Sequence, residues 1–377
     1  MSSAMQDNGA PVAGVPTFGV EEEFFLADEG TRATVARAAD VIKRAHDRLG
    51  DRIGAELFTT TVETRTRPVG TLDEMRQELR RLREGLAVAA EEGGCRVVAS
   101  GTPVVPFRGH REIAEEPRYR QLADRYGPFV SDDHNTGACA CHVHVAVSGR
   151  EEAVRLCNHL RPWLPVLQTM AANSPFNDGR DSGFASWRAL HFGRWPHVGP
   201  TPPFRDAAAY DDLVDSLITS GMLLDRKHVY WYARPSEHWP TLEVRVPDVN
   251  ADLDVVLLVA SLTRALVAVL KSDVRRDVPP PGIADPLLRA AHWRAARDGL
   301  RGSGLDPLTG RLHPAAELVE RLVARAAPAL DETGELPFVR SAWHRLRTGG
   351  GGAELQRAAY ARRGDLRDVV DVLSVRG

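Results

Sequence analysis

The feature that most constrains the fold is an acidic run set among apolar residues near the N-terminus, the segment Gly19–Phe24 with the sequence GVEEEF. Its apolar residues favour a β-strand, in which successive side chains point to opposite faces. Glu21 and Glu23 therefore share one face, whereas Glu22 points the other way with its apolar neighbours. Adjacent carboxylates repel unless a cation lies between them or one is protonated. Because burying them in an apolar strand is costly, we favour a metal site over a solvated strand end.

Two further glutamates, Glu56 and Glu63, flank a Thr-rich segment that also favours strands. On one unbroken strand their spacing would place the two carboxylates on opposite faces. Either a bulge intervenes or Glu56 belongs to a separate segment. Taken alone this is a weak signal, and surface charge is the simpler interpretation.

The segment CACHVH, residues Cys139 to His144, invites a zinc interpretation. In a strand the two histidines face one way and the two cysteines the other, so the four side chains do not converge on one tetrahedral ion. We expect Cys139 and Cys141 to be small core residues. His142 and His144 should line an open sheet face, where one of them is a metal ligand or a hydrogen-bond donor; a purely structural histidine is the alternative.

A third strand, TLEVRV, places Glu243 and Arg245 on the same face. The pair is either a cross-strand ion pair or a metal ligand beside a phosphate-binding guanidinium, the arrangement that phosphoryl transfer uses. Two loops that combine arginine with aromatic and small polar residues contain Arg180, Arg188 and Arg234. These loops suggest a pocket for an anionic small molecule.

The connections between strands vary in length, and several strands alternate polar and apolar residues, which predicts an α+β antiparallel sheet with helices on one face and the other face open. Residues 1–16 are predicted to be a disordered tail and 17–377 a single domain. No Walker-type loop or G-x-G-x-x-G is present, so any phosphates must be held by metals and arginines. The number of candidate ligands suits about two or three Mg²⁺ ions around a nucleoside triphosphate.

The composition limits the classes of partner that this protein is expected to bind. A formal net charge of −3 gives no broad attraction to nucleic acid or to an anionic membrane. Four cysteines in so long a chain do not make a secreted disulfide framework, and the N-terminus lacks a signal-peptide pattern. The most apolar stretch, Val255 to Leu270, contains Arg264 and is too short to span a bilayer. We therefore expect a cytoplasmic protein with small-molecule partners and no nucleic-acid or membrane partner; the sequence is compatible with a homo-oligomer.

Several motifs, in this order, resemble those of the type 2 glutamate–cysteine ligases, also called carboxylate–amine ligases. The motifs are GVEEEF, the TVE that ends at Glu63, HVHV, SPF…GRD…SWR, WP…GP…P over residues 195–203, RPS, and TLEVRV followed by Asp248. A tail segment, Gly350 to Arg357, is similar to a Gly-x-Gly-Ala…Arg element of the family. Together they cover nearly the whole chain from about Thr17. The resemblance implies a glutamine-synthetase-like fold, in which a curved antiparallel sheet carries helices on its outer face and the active site in its hollow.

The resemblance also implies ATP- and Mg²⁺-dependent ligation: a carboxylate, usually the γ-carboxylate of glutamate, is phosphorylated, and an amine such as cysteine then displaces the phosphate. By motif position, the implied metal ligands are Glu21, Glu23, Glu56, Glu63, His144 and Glu243. The implied catalytic arginines are Arg245, Arg234, Arg180 and Arg188, of which Arg245 and Arg234 contact ATP.

Two other functions remain as alternatives, a metal-dependent hydrolase in which the histidines and acids activate water, and a catalytically silent nucleotide-binding homologue. The chain departs from the family pattern at Cys139 to Cys141, where Gly and Met are more usual. These residues lie near the expected substrate cup, so the amine, and whether glutamate is the donor, are left open.

Overall fold

The computed structural model describes residues 14–107, 112–127, 130 and 137–375; most of the predicted tail, residues 1–13, lies outside the described residues. The strands are β1 (Phe18–Asp28), β2 (Ile53–Ala55), β3 (Thr61–Arg65), β4 (Cys95–Val98), β5 (Cys141–Ala146), β6 (Phe176–Asn177), β7 (Arg180–Asp181), β8 (Ala233–Pro235), β9 (Thr241–Val244), β10 (Ser303–Asp306), β11 (Arg311–Pro314) and β12 (Ser374–Val375). The helices are α1 (Ala38–Leu49), α2 (Leu72–Glu92), α3 (Pro117–Tyr126), α4 (Arg150–Leu160), α5 (Leu164–Ala171), α6 (Trp187–Phe192), α7 (Ala207–Thr219), α8 (Leu253–Arg275), α9 (Asp285–Asp298), α10 (Ala315–Glu332), α11 (Leu336–Gly349), α12 (Gly352–Arg363) and α13 (Leu366–Leu373).

The main sheet has eight strands and is built around β1. Its path runs β12-β4-β1-β5-β9-β8, and β3 pairs with β1 and with β2. Every pairing in it is antiparallel, as the sequence predicted. The central strand therefore carries its acidic run between β3 on one edge and β5 on the other.

One face of this sheet is covered by helices. The apolar side chains Val20, Val143 and Leu242, from three adjacent strands, are almost fully buried in one core together with α8. Helix α8 extends beyond the apolar stretch Val255 to Leu270 at both ends. By length and composition alone it could cross a membrane, but 78% of its most apolar 18-residue segment is buried inside the protein. Its Arg264 is buried and forms an ion pair with Glu335. It is therefore packed as a core helix.

Two segments differ from what their sequence patterns indicate. Val154 to Met170 has the pattern of one helix kinked at Pro162 and Pro165. It forms two helices instead, because Pro165 lies in the first turn of α5, where proline is tolerated but begins a new helix. The segment from Asn173 to Phe204 is punctuated by Gly and Pro, a pattern that predicts a long loop. It instead contains the β6–β7 hairpin and α6, whose N-cap is Ser186.

Glu22 points into the helix-covered side, as the strand alternation required. Its carboxylate receives two hydrogen bonds from Arg83 of α2, at 3.0 Å from Nε and 2.6 Å from Nη2. The same guanidinium donates to the backbone carbonyls of Asn250 and Ala251. A charge buried in the core is thus fully paired, and one arginine ties β1 to the segment that precedes α8.

We expect Arg83→Met to lower the free energy of unfolding by about 3–5 kcal/mol, because it leaves the Glu22 carboxylate buried without a counter-charge. Urea denaturation measures the change. The matched control is Arg48→Met, which removes a pair with Glu92 in which both side chains are 43% exposed and should cost under about 1 kcal/mol. Equal losses in the two variants would contradict the role assigned to the buried pair.

Candidate active site

The strand register brings the predicted site residues together on the face opposite the helices. Residues directly opposite in an antiparallel pair point to the same face of a sheet. The cross-strand partners on this face are Glu21 with His142, Glu23 with Glu63, and His144 with Glu243. The two cysteines lie buried within the core clusters, so the structure has no C-x-C-H-x-H centre there.

His142 occupies the middle of the acidic cluster. Its Nδ1 lies 3.5 Å from Glu21 Oε2 and 3.7 Å from Glu243 Oε1, and its Nε2 lies 3.8 Å from Glu23 Oε1. Two sets of three residues each place their ligand atoms within 4.8 Å of one another. These sets are Glu21–His142–Glu243 and Glu23–Glu63–His142. The buried Nε2 has no hydrogen-bond partner. Carboxylate oxygens around an unpartnered imidazole nitrogen suit a divalent cation, so the donor set fits metal binding.

His144, the histidine implied by the family resemblance, belongs to neither group. Its Nε2 lies 3.4 Å from Glu21 Oε2, and its Nδ1 lies 2.9 Å from the hydroxyl of Thr241. Burial disfavours the charged imidazole, but the Glu21 carboxylate more than offsets this and raises the pKa of His144. The geometry thus adds His142 to the ligand candidates, while a ligand role for His144 stays a prediction.

Glu56 lies in the connection between β2 and β3, so it belongs to a separate segment rather than to the strand of Glu63. It too lies outside both ligand groups, although it lines the same hollow as Glu23. Burial, together with repulsion from Glu23, raises the pKa of Glu56 to about 8. Burial also raises the pKa of Glu63 well above its usual value, with repulsion from Glu21 and Glu56 adding to the effect. A bound cation would relieve this repulsion.

Glu243 has the opposite environment. Arg234 donates to both of its oxygens, at 2.7 Å from Nε and 3.2 Å from Nη2, and Arg245 donates to Oε1. Burial would raise the pKa of Glu243, but the two guanidinium groups hold it well below its usual value. The ion pair of Glu243 with Arg245 is therefore present, but the cross-strand partner is Arg234 of β8. Glu243 Oε1 still lies 3.7 Å from His142 Nδ1.

The hollow beside this cluster encloses about 710 Å³, part of it open to solvent. Its lining residues are Glu23, Glu56, Leu57, Phe58, Thr61, Gly137, Ala138, Ala140, His142, Arg188, His191, Phe192, Trp195, Tyr230 and Arg245. Sequence reasoning did not assign Phe58, Phe192 or Trp195 to the site, and the only usable signal was that aromatics accompany the arginine-rich loops. The lining of the hollow thus combines acidic, aromatic and basic side chains.

The four predicted arginines do not all reach the hollow. Arg245 lines it with its guanidinium over the Tyr230 ring, 5.3 Å from the centroid. Arg188 also lines it and donates to the backbone carbonyls of Val246 and Arg245. Arg234 reaches Glu243 but is absent from the lining, and Arg180 is exposed on β7. Arg180 therefore does not line the hollow in this structure, and its catalytic role stays a prediction.

Asp248 connects the loops that frame the hollow. Buried at the end of the β9 segment, it accepts hydrogen bonds from Asn173 N (2.9 Å), Ser174 Oγ (2.7 Å) and Ser186 Oγ (2.9 Å), and Arg188 Nη1 lies 3.4 Å away. The Asp248 carboxylate, which directly follows TLEVRVP, thus joins the SPF and SWR motifs, which lie far from it in the sequence.

The model of glutamate–cysteine ligase family 2 (GCS2) matches residues 17–372 of the chain. The chain belongs to this family. A relative from Salinispora tropica, named "Putative glutamate--cysteine ligase 2", is 47% identical over 94% of this chain and 93% of its own length. The predicted family and its class, the ligases, are confirmed.

Solved structures of low sequence identity share the fold. A glutamate–cysteine ligase from Francisella tularensis, crystallised in complex with AMP, is 12% identical and superposes with a TM-score of 0.69 over 97% of this chain and 89% of that one. A bifunctional glutathione synthetase from Pasteurella multocida gives 0.70 at 14% identity, over 96% of this chain and 51% of that one. The predicted glutamine-synthetase-like α+β fold is confirmed.

Proposed function

We propose that this family member is an ATP- and Mg²⁺-dependent ligase that activates the γ-carboxylate of glutamate, or of a glutamate-like acid, as an acyl phosphate and joins it to a small amine such as cysteine. The observation that carries the proposal is the convergence of carboxylates, an imidazole and arginines from distant strands on one hollow. We further propose that residues 17–377 act as a single catalytic domain in the cytoplasm.

The residues that would hold two or three Mg²⁺ ions are those predicted from the sequence, with His142 added: Glu21, Glu23, Glu56, Glu63, His142, His144 and Glu243. Bound Mg²⁺ supplies positive charge against phosphate oxygens. Arg245 would donate to a phosphate group in the hollow, and Arg234 would hold Glu243 and support ATP binding. Arg188, fixed by Asp248, would orient an anionic substrate group, because its guanidinium is positioned before the substrate binds.

Isotope transfer tests the reaction. The protein is incubated with Mg²⁺-ATP, an amine panel and glutamate whose γ-carboxylate carries ¹⁸O. An acyl phosphate route gives ADP, an amide and phosphate that contains one ¹⁸O atom from glutamate, detected by mass spectrometry. Release of AMP, phosphate without label, or no turnover with any carboxylate would contradict the proposal. ATP-independent hydrolysis with bound zinc would instead support the hydrolase alternative.

Mg²⁺ binding is expected to tighten as the pH rises through about 8. Glu56, with its pKa of about 8, is largely protonated at neutral pH without a cation, and a metal binds the carboxylate form and releases the proton. Calorimetric titration in two buffers of different protonation enthalpy counts the protons released. Glu56→Gln should flatten this part of the pH dependence, and an affinity that falls with pH would refute it.

A further inference from the structure

A second cavity lies against a different face of helix α6 from the hollow. Arg188 and Phe192 of this helix line the hollow, whereas Leu190 lines the second cavity, which encloses about 530 Å³, part of it open to solvent. Its wall includes buried polar groups from α5 and α9. The proposed ligase chemistry uses none of them.

The first of these groups is His292, which is 4% exposed. Its Nδ1 lies 2.7 Å from Gln168 Oε1, and Gln168 Nε2 donates to the His292 carbonyl at 3.1 Å. The second bond uses the amide nitrogen of Gln168, so the amide oxygen faces the ring and accepts a hydrogen bond from Nδ1–H. The other ring nitrogen, Nε2, then carries no proton and can only accept a hydrogen bond. Burial, with the Arg289 charge nearby, lowers the pKa of His292 to about 3, so the ring is neutral. Nε2 has no partner, and a buried unmet acceptor is costly.

The second group is Arg289, one turn before His292 on α9. Its guanidinium lies next to Gly199, with Nη1 3.5 Å from the position that a Cβ on this glycine would occupy. The Gly199 carbonyl accepts a hydrogen bond from the backbone N–H of Tyr232 at 3.0 Å. Arg289 is exposed and has no ion pair or hydrogen bond to any residue in the part of the chain that the structure describes. An exposed guanidinium at a cavity mouth is suited to bind a carboxylate.

We propose that this cavity is a second ligand site, which binds a small carboxylate that also carries an O–H or N–H donor, as hydroxy acids and amino acids do. The carboxylate pairs with Arg289, and the donor faces the His292 side, where the ring of Tyr232 lies 4.5 Å from the imidazole. Trp293, 41% exposed, gives the site an apolar rim.

The site adjoins the hollow through two elements. Helix α6 contributes to both, and the Tyr232 carbonyl accepts from Arg245 N at 2.9 Å. A ligand here would therefore contact α6, which carries Arg188, and Tyr232, which is hydrogen-bonded to Arg245. Its binding does not rest on the proposed function and can be measured without turnover.

The test uses 3-hydroxybutyrate as the probe, with saturation-transfer NMR on the full chain. We expect binding that weakens about tenfold or more in Arg289→Gln, the loss expected when one charge-assisted contact is removed. Butyrate, which lacks the donor, and 3-hydroxybutyramide, which lacks the charge, should both bind more weakly than the probe. Arg362→Gln, at an exposed arginine on α12, is the matched control and should change nothing.

Arg245→Gln distinguishes binding in the second cavity from binding in the hollow, because a carboxylate bound in the hollow would depend on Arg245. Binding lost in this variant but retained in Arg289→Gln would assign the probe to the hollow and overturn the proposal. Equal binding of all three compounds, or no binding of 3-hydroxybutyrate by the folded protein, would also overturn it.

Discussion

Glu63→Gln is expected to lose at least about a hundredfold of the Mg²⁺-ATP-dependent turnover, which corresponds to about 2.7 kcal/mol of barrier. The substitution keeps the shape of the side chain and removes the charge that a cation would contact. Without metal the variant should unfold at no lower temperature than the parent, because the carboxyl already has a raised pKa next to Glu21 and Glu56. The rise in melting temperature on adding Mg²⁺ should shrink, since fewer ligands remain.

Steady-state turnover and thermal unfolding with and without Mg²⁺ give the two readouts. Glu29→Gln is the control, because Glu29 follows β1 directly but is exposed, and its one ion pair among the described residues is with Arg96 at 2.6 Å. It should leave both readouts unchanged. A Glu63→Gln variant that is destabilised to the same extent with and without Mg²⁺ would show that Glu63 is structural.

The second large effect is expected for Arg245→Lys, which should lose about a hundredfold in kcat/KM. Lysine keeps the positive charge but not the planar fork, which contacts Glu243 and lies over the Tyr230 ring. Removing one prearranged donor from a site of charge development costs about 3 kcal/mol of barrier. Most of the loss should appear in kcat if Arg245 contacts phosphate mainly in the transition state.

Arg180→Lys is the comparison for this variant, since it makes the same chemical change at an exposed position on β7, outside the hollow. We expect its kcat/KM to stay within about twofold of the parent. A loss as large as that of Arg245→Lys would restore the role that the family resemblance implied for Arg180 and would require the β6–β7 hairpin to move towards the hollow. Unchanged activity in Arg245→Lys would contradict the phosphate contact.

Much of the scaffold followed from local pattern. The alternation in GVEEEF placed Glu21 and Glu23 on one face and Glu22 on the other, and both placements hold. The same rule separated the histidines of CACHVH from its cysteines. A capping box, which the spacing of Thr71 and Glu74 in the sequence indicates, is present in the structure immediately before the first residue of α2. In each case the property depends on residues a few positions apart, so local geometry is sufficient to predict it.

Which residues form the candidate site was harder to predict from the sequence. His142 and His144 are equivalent in the strand alternation, and only the register of β5 against β1 and β9 puts His142 within reach of Glu21, Glu23 and Glu243. Arg180 and Arg188 belong to one arginine-rich segment, yet one is exposed and the other is buried beside Asp248.

The sequence by itself determined the sheet faces, the family and which strands carry acids, because strand periodicity and motif order are properties of the chain. Only the tertiary structure decided which side chains meet in the hollow, and that β9 brings a carboxylate and two arginines to the histidines of β5. The reason is that cross-strand register and the folding of long loops depend on the packing of the whole core. Residues over a hundred positions apart, such as Glu21 and His142, become neighbours only once that core has formed.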